Sequence, residues 1–257
     1  MRRTQNALLS TRGLGRAMPF ADTDTDRQAR RVLILQHEEP TPPGLVTEWL
    51  ETIGAETDVL RIDLEEPAVE PSRYDFVVSL GSEFGAYDDS LEFVRREARF
   101  IEQAIKADVA ILGLCFGGQM LARVLGGDVR RAARPEIGWI PVDTREPDLV
   151  SGGPWFQWHL DAMTAPPGAT VLAEGPVGLQ AFAYGRNLGL QFHPEVTPAI
   201  VDDWVSDFRH KLAGAGIDPD ALLEETRLRA QENRLAAFRL FDAYLERVAT
   251  LESRSAP

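Results

Sequence analysis

Gly113-Leu114-Cys115-Phe116-Gly117 sets the only cysteine of the chain between two glycines, each two residues away. A continuous apolar run, Val109-Ala110-Ile111-Leu112, leads into it, and a helical pattern from Met120 to Leu125 leads out, closed by Gly126-Gly127. Strand, tight turn and helix in that order form a nucleophile elbow, with sulfur in place of oxygen. Small residues around the turn allow the close backbone approach that a sharp reversal demands. The central side chain is then carried above the sheet edge, at a helix N-terminus. The amide dipoles there favour a thiolate, and the N–H of Phe116 is free to face an oxyanion. A lone cysteine elsewhere is most often a small buried hydrophobe. The elbow makes this one a candidate nucleophile.

A nucleophilic thiol needs a base, and the base needs an orienting group. The histidines are His37, His159, His193 and His210. His210 lies between Arg209 and Lys211 in a helical stretch and reads as solvated. His37 follows the first strand and either lines the same sheet edge or forms a turn. His159, within Trp155-Phe156-Gln157-Trp158-His159-Leu160-Asp161, either walls a pocket or plugs the core. His193 has the strongest context, because it ends the strand Leu190-Gln191-Phe192 and precedes Pro194-Glu195. A proline biases the residue before it to an extended conformation. Residues two apart in an extended segment share a side, so Glu195 reaches the imidazole. Cys115, His193 and Glu195 thus stand in the order nucleophile, base, orienter.

The elements that must position them follow from hydrophobic patterning. Val32-Leu33-Ile34-Leu35, Val59-Leu60-Arg61-Ile62, Phe76-Val77-Val78-Ser79-Leu80 and Val109–Leu112 have the continuous apolar pattern of strands buried on both faces. Helical patterns separate them. Leu45, Val46, Trp49, Leu50 and Ile53 share one face after Pro42-Pro43-Gly44, and Leu91, Val94, Ala98, Ile101 and Ile105 recur at three- and four-residue steps. The alternation predicts an α/β fold, with a mostly parallel central sheet flanked by helices. Between 128 and 192 the pattern changes. Segments 137–142, 170–173, 179–184 and 188–192 read as antiparallel additions and hairpins. Residues 198–213 and 217–250 read as helices. The long C-terminal one packs on the domain surface or offers a face to a partner or a second copy. Residues 1–30, arginine-rich and aperiodic, read as a disordered extension with no secretory signal, or as a short docking segment. Residues 31–213 form the core domain and 214–257 a C-terminal helical extension.

Composition limits the function classes. The 257 residues carry 27 Lys+Arg against 40 Asp+Glu, a net charge of −13. Residues 1–31 hold seven Arg against three Asp, so the rest of the chain is more acidic than the total. Broad binding to nucleic acid or anionic lipid needs clustered cations and is not expected. No apolar stretch reaches 18 residues, so no membrane-spanning helix is expected. A single thiol excludes internal disulfides and fits the cytoplasm. No phosphate-loop motif and no metal-ligand spacing occurs, so neither a metal nor a cofactor is expected.

Gly-Leu-Cys-Phe-Gly-Gly-Gln at 113–119 and Gln-Phe-His-Pro-Glu at 191–195 resemble the class I, triad-type glutamine amidotransferases. The free-standing proteins similar to the glutaminase domain of GMP synthetase match further, at Leu80–Tyr87, Glu136-Ile137-Gly138-Trp139 and Phe156-Gln157-Trp158-His159. The resemblance spans about residues 31–210 and implies a flavodoxin-like glutaminase fold. It implies that Cys115 attacks the glutamine side-chain amide, that His193 serves the thiol and then protonates departing ammonia, and that Glu195 orients His193. The oxyanion hole would use the N–H groups of Ser82 and Phe116. Substrate contacts would fall at Gln119, Gly81 and His159, with Gln119 alternatively a polar helix residue capping a neighbour. The family often has a second glycine where Ser82 stands, and a side chain there restricts positive φ.

Three functions are consistent with these residues. One is a glutaminase that supplies ammonia to a separate synthetase. Another is a γ-glutamyl hydrolase or peptidase using the same thioester chemistry on larger γ-glutamyl compounds. The third is a catalytically idle regulatory or binding protein, which an intact Cys115, His193 and Glu195 set argues against. Homo-oligomerisation stays open.

Overall fold

The computed structural model describes residues 29–250. Its main sheet contains β1 (Arg31–Gln36), β2 (Glu56–Arg61), β3 (Phe76–Ser79), β4 (Ala110–Leu114), β6 (Asp143–Thr144), β8 (Thr170–Gly175), β9 (Gly178–Tyr184) and β10 (Asn187–Leu190), in the order β2-β1-β3-β4-β10-β9-β8-β6. The first five in that order are mutually parallel, and each of the last three is antiparallel to the strand before it. Two further strands, β5 (Val129–Ile140) and β7 (Trp155–Met163), form a separate antiparallel ribbon.

Alternate residues of the parallel strands feed two cores. Val32, Ile34, Phe76, Val78 and Leu112 face α1 (Leu45–Thr52) and the long α5 (Pro219–Tyr244), meeting Trp49, Phe241 and Tyr244. Leu33, Leu35, Val77 and Ile111 face α2 (Glu92–Lys106) and α3 (Phe116–Val124), meeting Phe100, Ile101, Met120 and Leu121. Burying both faces explains why these strands are apolar runs and do not alternate. A third cluster joins Phe156 of β7 to Val201 and Trp204 of α4 (Pro198–Gly214) and to Leu222 and Leu223 of α5.

One sequence expectation changes, one holds, and one strand had no expectation. Segment 188–192 was expected as an antiparallel addition, but β10 runs parallel to β4, with Leu188 opposite Leu112 and Leu190 opposite Leu114. Only its other edge is antiparallel, across the tight turn to β9. Segment 137–142 is antiparallel as expected over Ile137–Ile140, where it pairs with β7 in the ribbon. Residues 155–163 are a strand. Its period of two is inverted: Gln157, His159 and Asp161 are buried on one face, while the apolar Trp158, Leu160 and Ala162 are less buried on the other, so polar residues point inward.

The long helix does more than cover a surface. Trp49 donates its indole N–H to Asp242 at 2.8 Å, and Leu240, Phe241 and Tyr244 complete the core on that face. Among the described residues no helix is long and apolar enough to cross a membrane.

Candidate active site

Four neighbouring parallel strands end at one edge of the sheet, and each delivers a polar group there. His37 follows β1, Gly81 and Ser82 follow β3, Cys115 follows β4 and His193 follows β10. This is the crevice beyond the strand carboxyl ends, where open α/β sheets bind ligands.

Cys115 joins β4 directly to α3 and has φ 50° and ψ −105°, a positive φ that non-glycine residues seldom adopt. Three backbone bonds hold it there: Cys115 N–H to Leu190 O at 2.9 Å, Gly117 N–H to Leu80 O at 3.0 Å and Gln119 N–H to Cys115 O at 2.9 Å. A Cβ at residue 117 would fall on the Ser79 carbonyl, so only glycine lets the elbow press onto β3. The Phe116 N–H opens the first turn of α3, where helical amides lack an intrahelical acceptor.

His193 is buried. Its N–H donates to Phe156 O at 2.8 Å, and Phe192 before it stacks on Trp155 with centroids 4.8 Å apart. The ring meets Trp204 edge-on at 5.0 Å, and Nδ1 lies 2.7 Å from Glu195 Oε1. Nε2 is buried and has no hydrogen-bond partner. Burial opposes a charge on this ring. The negative charges of Cys115 and Glu195 and the Glu195 hydrogen bond outweigh it, and the imidazole is pushed up to about 10. From α5, the Asn233 side-chain amide donates to the carbonyls of Pro194 (3.3 Å) and Val196 (3.1 Å), bracing the loop that carries Glu195.

Gly81 lies between Cys115 and His193. A Cβ there would come 2.8 Å from His193 Cε1 and 3.8 Å from the Cys115 Cβ. Ser82 does not need glycine's freedom. Among the described residues only Asp108 and Cys115 are non-glycine residues with positive φ. The Ser82 hydroxyl donates to Glu38 Oε1 at 2.5 Å.

His37 lines the edge, the first of its two sequence alternatives. It is fully buried, with Nδ1 3.0 Å from Gly81 O and Nε2 2.5 Å from Glu97 Oε2. The Ser79 hydroxyl donates to the other Glu97 oxygen at 2.5 Å. Burial works against a charged His37, but the carboxylates of Glu97 and Glu38 raise its pKa above the ordinary value. Sequence reasoning missed Glu97. The available signal was a carboxylate three residues after Val94 and four before Ile101, on the apolar stripe of α2.

Gln119 and Gln191 form a short relay. The Gln119 amide donates to Gln191 Oε1 at 3.2 Å, and the Gln191 amide lies 3.8 Å from Cys115 Sγ. Cys115 and Gln119 line a cavity of about 310 Å³ with Arg131, His159, Asp161 and Lys211. His159 reaches this wall, but its ring nitrogens are engaged within the protein, Nδ1 with Asp161 O (2.8 Å) and Nε2 with Glu136 (3.1 Å). A neighbouring cavity of about 240 Å³ is lined by His193. His210 lies outside both cavities and is exposed.

A doubly covered α/β sheet with a cysteine elbow and a His–Glu pair at adjacent strand ends defines the class of protein, and comparison with known proteins agrees. The family model "Glutamine amidotransferase class-I" matches residues 45–208. The chain belongs to the class I glutamine amidotransferase family. It is 42% identical over 125 residues to a glutamine-hydrolyzing GMP synthase of Thermus thermophilus, covering 45% of this chain and 25% of that protein. The match thus spans about a quarter of the length of that relative. It is 32% identical over 161 residues to one subunit of the glutamine-hydrolyzing GMP synthase of Saccharolobus solfataricus, covering 59% of this chain and 82% of that one. The crystal structure of a glutamine amidotransferase from Thermotoga maritima superposes with a TM-score of 0.79 at 30% identity, covering 86% of this chain and all of that one.

Proposed function

We propose that the protein hydrolyses the side-chain amide of glutamine through a γ-glutamyl thioester on Cys115. One observation carries this: the elbow cysteine and the buried His193–Glu195 pair meet at one sheet edge, beside a cavity large enough for an amino acid. The Cys115 thiolate adds to the amide carbon. The oxyanion that forms faces the N–H groups of Phe116 and Ser82. The His193 imidazolium gives its proton to the amide nitrogen, the C–N bond breaks and ammonia leaves. Neutral His193 then takes a proton from water as that water attacks the thioester. The C–S bond breaks, glutamate departs and the thiolate is restored. Glu195 holds the His193 ring in register throughout.

Relatives named as one subunit of GMP synthase support a second step. In this reading the ammonia passes to an acceptor on a separate synthetase.

The test is glutamate and ammonia release from glutamine, together with mass spectrometry of acid-quenched protein. A mass increase on Cys115 matching a γ-glutamyl group is expected, absent in Cys115→Ala. Glutamate release by Cys115→Ala at the wild-type rate would overturn the assignment.

A further inference from the structure

We propose that the cavity on the His193 side is a leaving-group subsite shaped for a small cationic amine, so that the site cleaves γ-glutamyl amides of such amines as well as glutamine. This rests on the thioester chemistry proposed above and names a further substrate class for it.

The two cavities share Ser82, Glu83, Trp158 and Phe208 as walls, but divide the catalytic pair between them. Cys115 lines only one and His193 only the other. The acyl carbon of a substrate must reach Cys115, while its amide nitrogen must approach the group that protonates it. Whatever is bonded to that nitrogen therefore extends into the His193 cavity. The His193 ring is buried there, with Nε2 unpartnered. Ammonia occupies about as much space as one water, roughly 30 Å³. The cavity holds about 240 Å³. It has room for a leaving group of several heavy atoms.

Charge then selects the leaving group. The Cys115 cavity carries both signs, Arg131 and Lys211 with Glu83 and Asp161, and Arg131 is paired with Asp161 at 3.5 Å, which leaves Lys211 to meet the carboxylate of a glutamyl group. No lysine or arginine lines the His193 cavity. Its charged walls are Glu38, Glu83 and Asp207, and its apolar walls include Phe208, whose ring already carries the Lys211 ammonium 4.7 Å from its centroid, and the rings of Trp158 and Trp204, which do not. Aromatic faces attract cations. Trp204 is fixed by its indole N–H bond to Pro40 O at 2.6 Å and by its edge contact with His193. Glu38 is raised by burial, in spite of the bond it accepts from Ser82, so a cation nearby would favour its charged form. The scissile nitrogen is uncharged in the amide, so the ammonium belongs at the far end of the leaving group, away from His193. The chemistry balances as for glutamine. The thiolate adds to the amide carbon, His193 protonates the nitrogen, the amine leaves, and water releases glutamate.

The experiment compares glutamine, the γ-glutamyl monoamide of 1,4-diaminobutane, γ-glutamyl butylamide and γ-glutamylglycine, carrying cationic, neutral and anionic leaving groups in the last three. Glutamate release is measured with the full chain, and binding to Cys115→Ala by calorimetry, which reads the subsite even if turnover awaits a partner. The cationic amide is expected to be cleaved, and to bind at least about tenfold tighter than the neutral and anionic ones. Asp207→Asn is expected to shrink that ratio several-fold. Equal binding of all three, or preference for the anionic amide, overturns the subsite. Glutamine turnover with no cleavage of the cationic amide overturns the added activity and leaves the glutaminase reading standing. Cleavage that persists in Cys115→Ala overturns the thioester chemistry instead.

Discussion

His37 Nδ1 lies 3.0 Å from the carbonyl oxygen of Gly81, and that bond fixes the peptide between Gly81 and Ser82. In a trans peptide the N–H points opposite to the C=O. With the Gly81 carbonyl turned to His37, the Ser82 N–H turns the other way. Glu97 holds the far side of the His37 ring at 2.5 Å, and Ser79 holds Glu97. His37 touches no substrate in this scheme. It positions a group that would.

Replacing His37 by Asn should therefore lower kcat with little effect on KM. Loss of one oxyanion donor costs about 10²–10³ in rate, and a donor merely misaligned should cost about 10–100-fold. Glu97→Gln, which keeps a hydrogen-bonding group beside the ring, should cost less than His37→Asn. Steady-state kinetics of both variants check this. A raised KM with unchanged kcat would show that His37 serves binding, not the oxyanion.

The same ring gives stability a pH dependence. His37 has a raised pKa in the folded state. A raised histidine contributes stability that is fully present below the unfolded value of about 6.5 and is lost as pH climbs through the folded value. The denaturation midpoint should thus fall as pH rises from 6.5; His193, raised as well, adds to that fall, so His37→Asn should make the slope shallower without removing it. A variant that retains the full slope would leave His37 no share in it, and the whole fall would belong to His193.

The grouping of Cys115, His193 and Glu195 was legible in the sequence because local backbone rules place it. Glycines around Cys115 announce the turn, and Pro194 keeps His193 extended so that Glu195 returns to it. The His37–Glu97 pair was not legible in this way. Its members are 60 residues apart and meet only because β1 and α2 pack on the same sheet. The parallel pairing of β10 was hidden for a similar reason: its short turn from β9 signals only the antiparallel neighbour. Ser82 shows the opposite case. A side chain there restricts positive φ, but the backbone at that position does not use positive φ.

Cys115 does use it, and this strain is separable from the chemistry. Non-glycine residues in such conformations cost on the order of 1–3 kcal/mol, and glycine adopts them freely. Cys115→Ala and Cys115→Gly should both lose at least about 10⁴-fold in activity, in line with removal of a nucleophile. Chemical denaturation should find the Gly variant more stable than the Ala variant by about 1 kcal/mol, the relief reduced by glycine's greater unfolded entropy. An Ala variant more stable than the Gly variant by about 0.4–1 kcal/mol, the entropic difference alone, would mean that the elbow carries no strain.

His193 sets the alkaline limit. Raised to about 10 by its anionic neighbours against the effect of burial, it is protonated at neutral pH, which suits it to donate to the leaving nitrogen. kcat/KM should fall as pH rises through about 10, because the imidazolium is lost there. Glu195→Gln removes one of the two flanking anions, so the limb should move down toward the ordinary histidine value of about 6.5, with a drop in kcat of about 10²–10⁴. A limb that stays in place in Glu195→Gln would mean that another group titrates it.

Asn233 tests whether the long C-terminal helix belongs to the catalytic apparatus. It is buried and donates from α5 to the carbonyls on both sides of Glu195. Asn233→Ala leaves both carbonyls without that donor, a cost of about 1–3 kcal/mol. The loop that it braces also accepts Leu45 N–H at Glu195 O, 2.8 Å away, so the fold should survive. Glu195 should then hold His193 less firmly. kcat should fall about tenfold, and the alkaline limb of the pH profile should shift downward as in Glu195→Gln, though less. A purely structural brace would lower the denaturation midpoint and leave that limb unmoved, so the pH profile of the variant separates the two roles.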